Sequence, residues 1–357
     1  MDDTLKQLRS RIDSIDDALL QLLSERARVA QEVGRAKNGD KIYRPEREAQ
    51  IVNRLREANP GPLKNDSIER VFREIMSSCR ALEQDLRVAY LGPPGTFSQS
   101  ALYKQFGHGV EALPEADIDS CFRAVETDRA DFAVVPVENS TEGAVSRTLD
   151  LIVTSPLKIC GEIMLPIQQN LMRKLAGLEG IQRVYAHAQS FAQCQNWLHR
   201  HLPQAEQVKV TSNSEGARRA AAEPEAAALG SEVAADLYGL TLVAPRVEDE
   251  ATNTTRFLVL GANDAAPSGR DKTSMVLGAP NQPGAIVKLL QPLADAGISM
   301  TKLESRPARS ANWEYLFFIV CEGHRLDARL AATLTKIGSY AAFMKILGSY
   351  PASSSPA

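Results

Sequence analysis

The sequence predicts a multidomain chain: an all-helical first module, an α/β second module and a compact third module of order βαββαβ. Three observations lead there. Apolar residues recur at helical spacing with almost no Gly or Pro through residue 86. Short apolar runs then alternate with helical stretches from Arg87 onward. A Pro-, Gly- and Asp-containing stretch at 263–272 separates this α/β texture from a final run of alternating strands and helices. At 357 residues there is room for two or three domains, each with its own core. The 44% hydrophobic and 24% charged content is that of an ordinary globular chain.

Charge and composition narrow the classes of function. Forty-one Lys and Arg against 44 Asp and Glu leave a net charge of −3, which argues against nucleic-acid binding through bulk charge. No run of eighteen apolar residues predicts a membrane span, and the acidic start Met1-Asp2-Asp3-Thr4 does not read as a secretory leader. The five cysteines, at 79, 121, 160, 194 and 321, are odd in number and scattered, without Cys-x-x-Cys or His-Glu-x-x-His. A reduced, cytoplasmic protein without a metal or other cofactor is the expectation.

In residues 1–86, Leu5, Leu8, Ile12, Ile15, Leu19, Leu22, Val29 and Val33 predict one long amphipathic helix from Thr4 to Lys37. It would be about 50 Å long at 1.5 Å per residue. Asn38-Gly39-Asp40 ends it. A second helix starts near Pro45, a residue suited to the first turn, and stops before Asn59-Pro60-Gly61-Pro62. A third runs from about Asp66 to Asp85. So few residues cannot cover the seam of the long helix, so a helical homodimer is expected.

Residues 87–262 read as α/β, with Val88–Leu91, Phe132–Val135 and Phe257–Leu260 as buried strands and 98–106, 118–128, 190–202 and 214–222 as helices. A mostly parallel sheet is expected, in one domain or in two lobes with a cleft. Residues 273–351 give strands at Thr273–Leu277, Ile298–Leu303, Tyr315–Cys321 and Phe343–Leu347. Helices fall at Pro283–Ala296 and Asp327–Ile337, which is the ferredoxin-like order. The tail 352–357 is expected to be disordered.

Several residues break these patterns. Arg26 falls in the heptad series 5, 12, 19, 26, 33, where an unpaired charge would cost several kcal/mol. Lys37, three turns on, shares its face, whereas Arg9 points about 100° away. Glu83 borders the stripe of Phe72, Ile75, Met76, Cys79 and Leu82, and Arg47-Glu48 adds a polar pair. Solvated or salt-bridged helix charges are the plain reading; a site for a small dicarboxylate is the functional one. In the second module, Gly92-Pro-Pro-Gly-Thr-Phe-Ser98 turns from strand to helix, where backbone amides suit an anion. It lacks the Gly-x-Gly-x-x-Gly of dinucleotide binding. Pro136-Val-Glu-Asn-Ser-Thr-Glu-Gly-Ala-Val145 ends another strand in a polar turn, where α/β sheets place ligands.

The segments Leu5-x-x-Leu-Arg-x-x-Ile-x-x-Ile-Asp, Glu25-Arg26, Glu32-Val-Gly-x-Ala-Lys37 and Pro45-Glu-Arg-Glu48 resemble the all-helical chorismate mutase family. Thr254-Thr255-Arg256-Phe257 is similar to the signature of prephenate dehydratases. Gln282-Pro-Gly-Ala-Ile-Val287 and Glu304-Ser-Arg-Pro307 resemble phenylalanine-binding motifs of ACT domains. The order of the three modules resembles the bifunctional proteins of phenylalanine biosynthesis, with chorismate, prephenate and phenylalanine as ligands.

The resemblance implies roles. Arg9 from one subunit, with Arg26, Lys37 and Glu48 from the other, would grip chorismate. The two arginines would hold the carboxylates, Lys37 the ether oxygen and Glu48 the ring hydroxyl, with Arg47 ordering the site. A unimolecular pericyclic shift needs orientation and electrostatics rather than a nucleophile. Three positions depart from the common pattern: Arg44 replaces an Asp, Cys79 a small polar residue, and Glu83 a Gln that donates to the ether oxygen. Glu83 can donate only when protonated, so mutase activity should decline at alkaline pH. For the dehydratase, Thr255 would donate to or position the leaving hydroxyl. Thr96, Ser98, Glu138, Asn139, His187, Gln193, Arg256 and Phe257 are further candidates, and Ala186 stands where some relatives have Ser. Gly284, Ala285, Ile286 and Val287, with Glu304, Ser305, Arg306 and Pro307, would line a phenylalanine pocket between paired ACT domains. Three other readings stay open: a dehydratase whose helices only dimerise, arogenate as its substrate, and a non-enzymatic amino-acid-binding regulator.

Overall fold

The computed structural model describes residues 2–36, 43–279, 282–307 and 315–353. Lys37 and the end of the tail, 354–357, lie outside the described residues. The first three helices are α1 (Asp2–Ala36), α2 (Pro45–Ala58) and α3 (Asn65–Ala81). Next come β1 (Arg87–Leu91), α4 (Phe97–Phe106), β2 (Glu111–Glu115), α5 (Ile118–Glu126), β3 (Phe132–Asn139), β4 (Gly143–Ala144), α6 (Ser146–Thr154) and β5 (Lys158–Pro166). They are followed by β6 (Asn170–Arg173), β7 (Arg183–Ala186), α7 (Ala188–Gln193), α8 (Gln195–His201), β8 (Glu206–Lys209), α9 (Asn213–Ala222), β9 (Ala226–Gly230), α10 (Glu232–Tyr238), β10 (Thr241–Ala244) and β11 (Thr254–Gly261). The last group is β12 (Asp271–Gly278), α11 (Ala285–Asp295), β13 (Met300–Pro307), β14 (Tyr315–Glu322), α12 (Ala328–Tyr340) and β15 (Phe343–Pro351).

The chain divides into two units. One comprises Met1–Arg44, Ile51–Leu86 and Phe106–Glu111; the other holds the remainder. In the helical unit the predicted seam of α1 is uncovered: Leu5, Leu8, Ile12, Ile15, Leu19, Leu22, Val29 and Val33 are each about half exposed. Helix α3 stops at Ala81, four residues before its predicted end. The Glu83 amide turns back to the Arg80 carbonyl at 2.8 Å, a tightened last turn that leaves Glu83 beyond the helix. Burial would raise the Glu69 carboxyl, but Arg73 and Arg56 outweigh it and hold it below the usual range. Residues 106–111 pack on α3. Arg80 donates to the Phe106 carbonyl (2.7 Å) and the Gly109 amide donates to Ser77 Oγ (2.9 Å). Gly107, at φ +70°, fits because a Cβ there would lie 2.5 Å from that of Ser77.

The α/β region forms two lobes, each with its own sheet, and both sheets are mixed instead of mostly parallel. The first lobe has strand order β2-β1-β3-β11-β5, in which β1 and β3 are parallel and β11 runs antiparallel to both β3 and β5. The second has order β10-β6-β9-β7-β8, with β7 parallel to β8 and β9. The chain passes to the second lobe after β5 and returns as β11. A strand inserted on the return enters the first sheet antiparallel, which a local reading of apolar runs does not reveal.

In the C-terminal region β13-β14-β12-β15 is an antiparallel sheet. Strand alternation splits its core. Met275, Leu277 and Ile319 face α11 and α12 through Leu289, Leu293, Leu330 and Ile337. Val276, Phe318, Leu347 and Tyr350 join the first-lobe core of Ala89, Val135 and Leu258. At this junction the buried Glu162 of β5 accepts from Arg256 Nε (2.9 Å) and Lys272 Nζ (2.6 Å). Arg256 also donates to the Tyr350 hydroxyl (3.1 Å). Burial pushes the Tyr350 phenol up to about 12, so it remains a neutral hydroxyl, hydrogen-bonded to Ser274 Oγ at 2.7 Å. Removing the carboxylate strands a buried guanidinium. Glu162→Ala is therefore expected to destabilise the chain by about 3–5 kcal/mol, read as a lower urea midpoint with little change in m; a loss below about 1 kcal/mol would contradict this.

Candidate active site

The two lobes enclose a cavity of about 260 Å³. Its walls carry the residues that precede or cap four helices: Thr96 before α4, His187 before α7, Ser212 before α9 and Ser231 before α10. Local sequence makes these caps. Ser212 Oγ accepts from the Glu215 amide at 3.1 Å in a Ser-x-x-Glu pattern. Ser231 Oγ accepts from the Ala234 amide and donates to the Gly95 carbonyl of the opposite lobe at 2.9 Å. The helices α4 and α9, ten residues each, thus start at the cavity and turn their positive ends toward it. His187 is the single titratable side chain of the lining. Its Nδ1 accepts from the Gln189 amide (3.3 Å), which leaves the proton on Nε2.

The floor comes from β3 and β11. Their register pairs Thr255 with Asn139 and Arg256 with Glu138, so the two pairs point to opposite faces of the sheet. Immediately beyond, Phe257 pairs with Pro136, which makes Val137 a bulged residue beside the site. Asn139 Oδ1 accepts from the Thr141 amide (3.0 Å), the Thr141 hydroxyl (2.5 Å) and the Glu142 amide (3.2 Å). Its Nδ2 donates to Thr255 Oγ1 and to Asn253 Oδ1, both at 2.8 Å. With an acceptor lone pair of Thr255 filled by Asn139, the Thr255 hydroxyl donates to no protein acceptor among the described residues. In the second lobe Gln169 Nε2 bonds Ser190 Oγ (3.1 Å) and Gln193 Oε1 (3.0 Å), while Asn213 Nδ2 bonds Ser190 Oγ at 2.7 Å.

Of the residues singled out from sequence, Thr96, Asn139, His187, Gln193 and Thr255 meet at this cavity. Ser98 is buried in the first turn of α4, and Phe257 lies in the core. Arg256 turns to Glu162 and Tyr350, and Glu138 pairs with Lys302 of β13 at 2.5 Å, so both face the C-terminal sheet instead of the cavity. Gln169, Ser190, Asn213, Ser231 and Asn253 escaped the reading. Only Asn253 carried a local signal, two residues before Thr255 and hence on the same face of the strand.

The helical residues are differently placed. Arg9 and Arg47 are exposed, Arg26, Glu48 and Glu83 are half-buried, and Cys79 is buried. Glu83 Oε2 is itself buried and has no hydrogen-bond partner among the described residues. It rests against Gly34 of α1, where a Cβ would come within 2.9 Å. In the C-terminal region, Gly284 adopts a left-handed conformation (φ +75°) at the start of α11; Ala285 is buried, Ile286 half-buried and Val287 exposed. Glu304, Ser305, Arg306 and Pro307 end β13, and Arg306 donates to the Ser146 carbonyl at 2.8 Å. No described helix is long and apolar enough to cross a membrane.

Comparison with known proteins bears on all three regions. Sequence profiles of chorismate mutase type II, prephenate dehydratase and the ACT domain match residues 8–84, 88–265 and 273–339. The chain is 51% identical over 354 residues to a bifunctional chorismate mutase/prephenate dehydratase of Neisseria gonorrhoeae, covering 98% of both chains. It is 50% identical over 357 residues to one of Stutzerimonas stutzeri, again covering 98% of both. The solved prephenate dehydratase of Arthrobacter aurescens, in complex with L-Phe, superposes with a TM-score of 0.67 at 32% identity, covering 74% of this chain and 89% of that one. With 98% of its length matched at half identity, and its three regions in the same order, the chain belongs to the family of bifunctional chorismate mutase/prephenate dehydratases.

Proposed function

We propose that the chain converts chorismate to prephenate through its helical unit and prephenate to phenylpyruvate in the interlobe cavity, with phenylalanine regulating the second step. The observation that carries the dehydratase assignment is the Asn139–Thr255 pair beneath a lining of helix starts. Prephenate is a dianion. The start of α4 and that of α9 offer amides to its carboxylates without a fixed cation. Among the described residues no carboxylate side chain lines the cavity to meet the ammonium of arogenate. Loss of CO2 sends its electron pair into the ring as the C–O bond at the far end breaks, and the departing oxygen takes a proton to leave as water. Aromatisation drives the step, so a weak donor is enough. Thr255, its lone pair engaged by Asn139, has its proton free for that oxygen.

The mutase assignment rests on a distance. Arg9 and Arg26 lie on one helix, seventeen residues and thus about 25 Å apart at 1.5 Å per residue. A small dicarboxylate cannot touch both within one chain. Two chains packed along the exposed α1 seam can bring Arg9 of one to Arg26 of the other. Covering eight half-exposed side chains supplies about 1 kcal/mol each. Lys37 and Glu48 would complete the grip, with Arg47 as a supporting group. Glu83, held beside Gly34 with an oxygen that has no hydrogen-bond partner among the described residues, stands where relatives place a Gln that donates to the breaking ether oxygen, and the buried Cys79 lies one turn before it in the chain.

The third region, with its βαββαβ order and β13-β14-β12-β15 sheet, is read as a ferredoxin-like ACT domain that pairs with a second copy and holds phenylalanine. Gly284–Val287 and Glu304–Pro307 would form the pocket. Lys302 and Arg306, on the strand that ends in this motif, touch Glu138 and Ser146 of the first lobe. Phenylalanine can thereby act on the residue next to Asn139.

Chorismate added to purified protein should yield prephenate and then phenylpyruvate, the second step slowing with phenylalanine. Thr255→Ala should halt the sequence at prephenate, lowering phenylpyruvate formation by about 100-fold or more with the mutase rate intact; near-normal phenylpyruvate would remove Thr255 from the mechanism. Glu83→Ala should lower the mutase rate by about tenfold or more while Glu83→Gln, which keeps a polar donor in place, retains it; a parent-like rate in Glu83→Ala would contradict the role.

A further inference from the structure

Hydrogen-bond directions around Asn139 determine how its neighbour Asn253 must be oriented. The backbone amides of Thr141 and Glu142 can only donate, so the Asn139 atom facing them at 3.0 and 3.2 Å is its carbonyl oxygen. Its other terminal atom is therefore the amide nitrogen, with two protons. One goes to Thr255 Oγ1 and the other to Asn253, whose facing atom must accept and is Oδ1. That fixes Asn253 in turn: its Nδ2 points away from Asn139. This nitrogen is buried and has no hydrogen-bond partner among the described residues. Asn253 is 4% exposed and belongs to the cavity wall, two residues from Thr255 on the same strand face.

A buried amide left without an acceptor costs about 1–3 kcal/mol. Here the orphan sits beside a hydroxyl that also lacks an acceptor, and one amide group, that of Asn139, orients both. We infer that Asn253 is a catalytic residue of the dehydratase: Asn253 Nδ2 and the Thr255 hydroxyl form a two-donor cradle for the ring oxygen that leaves. The inference deepens the dehydratase reading and rests on it. As the C–O bond breaks, its electron pair stays on the oxygen. Thr255 passes its proton to that oxygen and recovers one from water. Asn253 holds its own proton and lends only a hydrogen bond to the developing charge. One proton is consumed, and phenylpyruvate, CO2 and water are formed. Donors aimed at developing charge act more strongly on the transition state than on the ground state, so the effect falls on kcat.

Asn253→Asp tests this because it separates the two functions of the side chain. A carboxylate still accepts from Asn139 Nδ2, so the local geometry is kept, but the donor is lost and an anion faces the departing oxygen. N253D should lower kcat for phenylpyruvate formation by about 100-fold with little change in KM, and with the mutase rate and phenylalanine binding as in the parent. Its kcat should recover as pH falls and the new carboxyl protonates into a donor, a rise that the parent lacks. A residue with a merely structural role would not acquire this new pH dependence. Parent-like kcat, or a deficit without recovery at low pH, overturns the inference. If N253D does not fold, Asn253→Ala gives the same reading through kcat: a fall of at least tenfold at unchanged mutase rate supports the cradle, and a smaller one overturns it. Should the parent itself make no phenylpyruvate, the dehydratase reading fails and this inference fails with it. Phenylpyruvate from the parent together with an unaffected variant removes Asn253 alone.

Discussion

The carboxamide of Asn139 is the interaction on which the proposed dehydratase site depends. Its oxygen is held by the backbone of the turn after β3, and its two protons are shared between Thr255 and Asn253 of β11. The antiparallel register of β3 and β11 makes this possible, since it sets Thr255 opposite Asn139. That register exists because β11 returns from the second lobe to enter the first sheet between β3 and β5. One amide thus turns a topological feature into a chemical one: it takes up acceptor sites on both side chains and leaves their donors without protein acceptors among the described residues.

The opposite face of the same strands has another task. Arg256 and Glu138, each one residue from a member of the site pair, are tied to the C-terminal sheet by Tyr350 and Lys302, and Glu162 pairs with both Arg256 and Lys272. Period-two alternation lets one strand pair line the cavity on one side and hold the C-terminal sheet on the other. A shift of β13 would reach Asn139 through a single peptide unit. Coupling of that kind requires reciprocal effects on the two ligands' affinities.

The parts legible in the sequence were those written in local periodicity. The α1 seam, the start of α2 at Pro45 and the βαββαβ order follow from spacing and turn residues. Asn139 could be named because its motif ends a strand, and Thr255 because the motif that begins β11 resembles the dehydratase signature. Arg256 and Phe257 were grouped with Thr255 by adjacency in the chain, yet strand alternation sends Arg256 to the other face and the core takes Phe257. The mixed sheets, and the contributions of Gln169, Ser190 and Asn213, depend on where the chain crosses between lobes, which no short window records. The early end of α3 was missed because Leu82 and Glu83 are good helix formers and the tightened turn has no Gly or Pro to signal it.

The most direct test of this account is phenylpyruvate formation by Asn139→Asp. The substitution keeps an acceptor for the Thr141 and Glu142 amides and removes the donor that orients Thr255 and Asn253. The account predicts that the dehydratase rate falls by about 100-fold or more while the mutase rate and thermal unfolding stay as in the parent. A dehydratase rate within about threefold of the parent, roughly 0.6 kcal/mol of barrier, would contradict it.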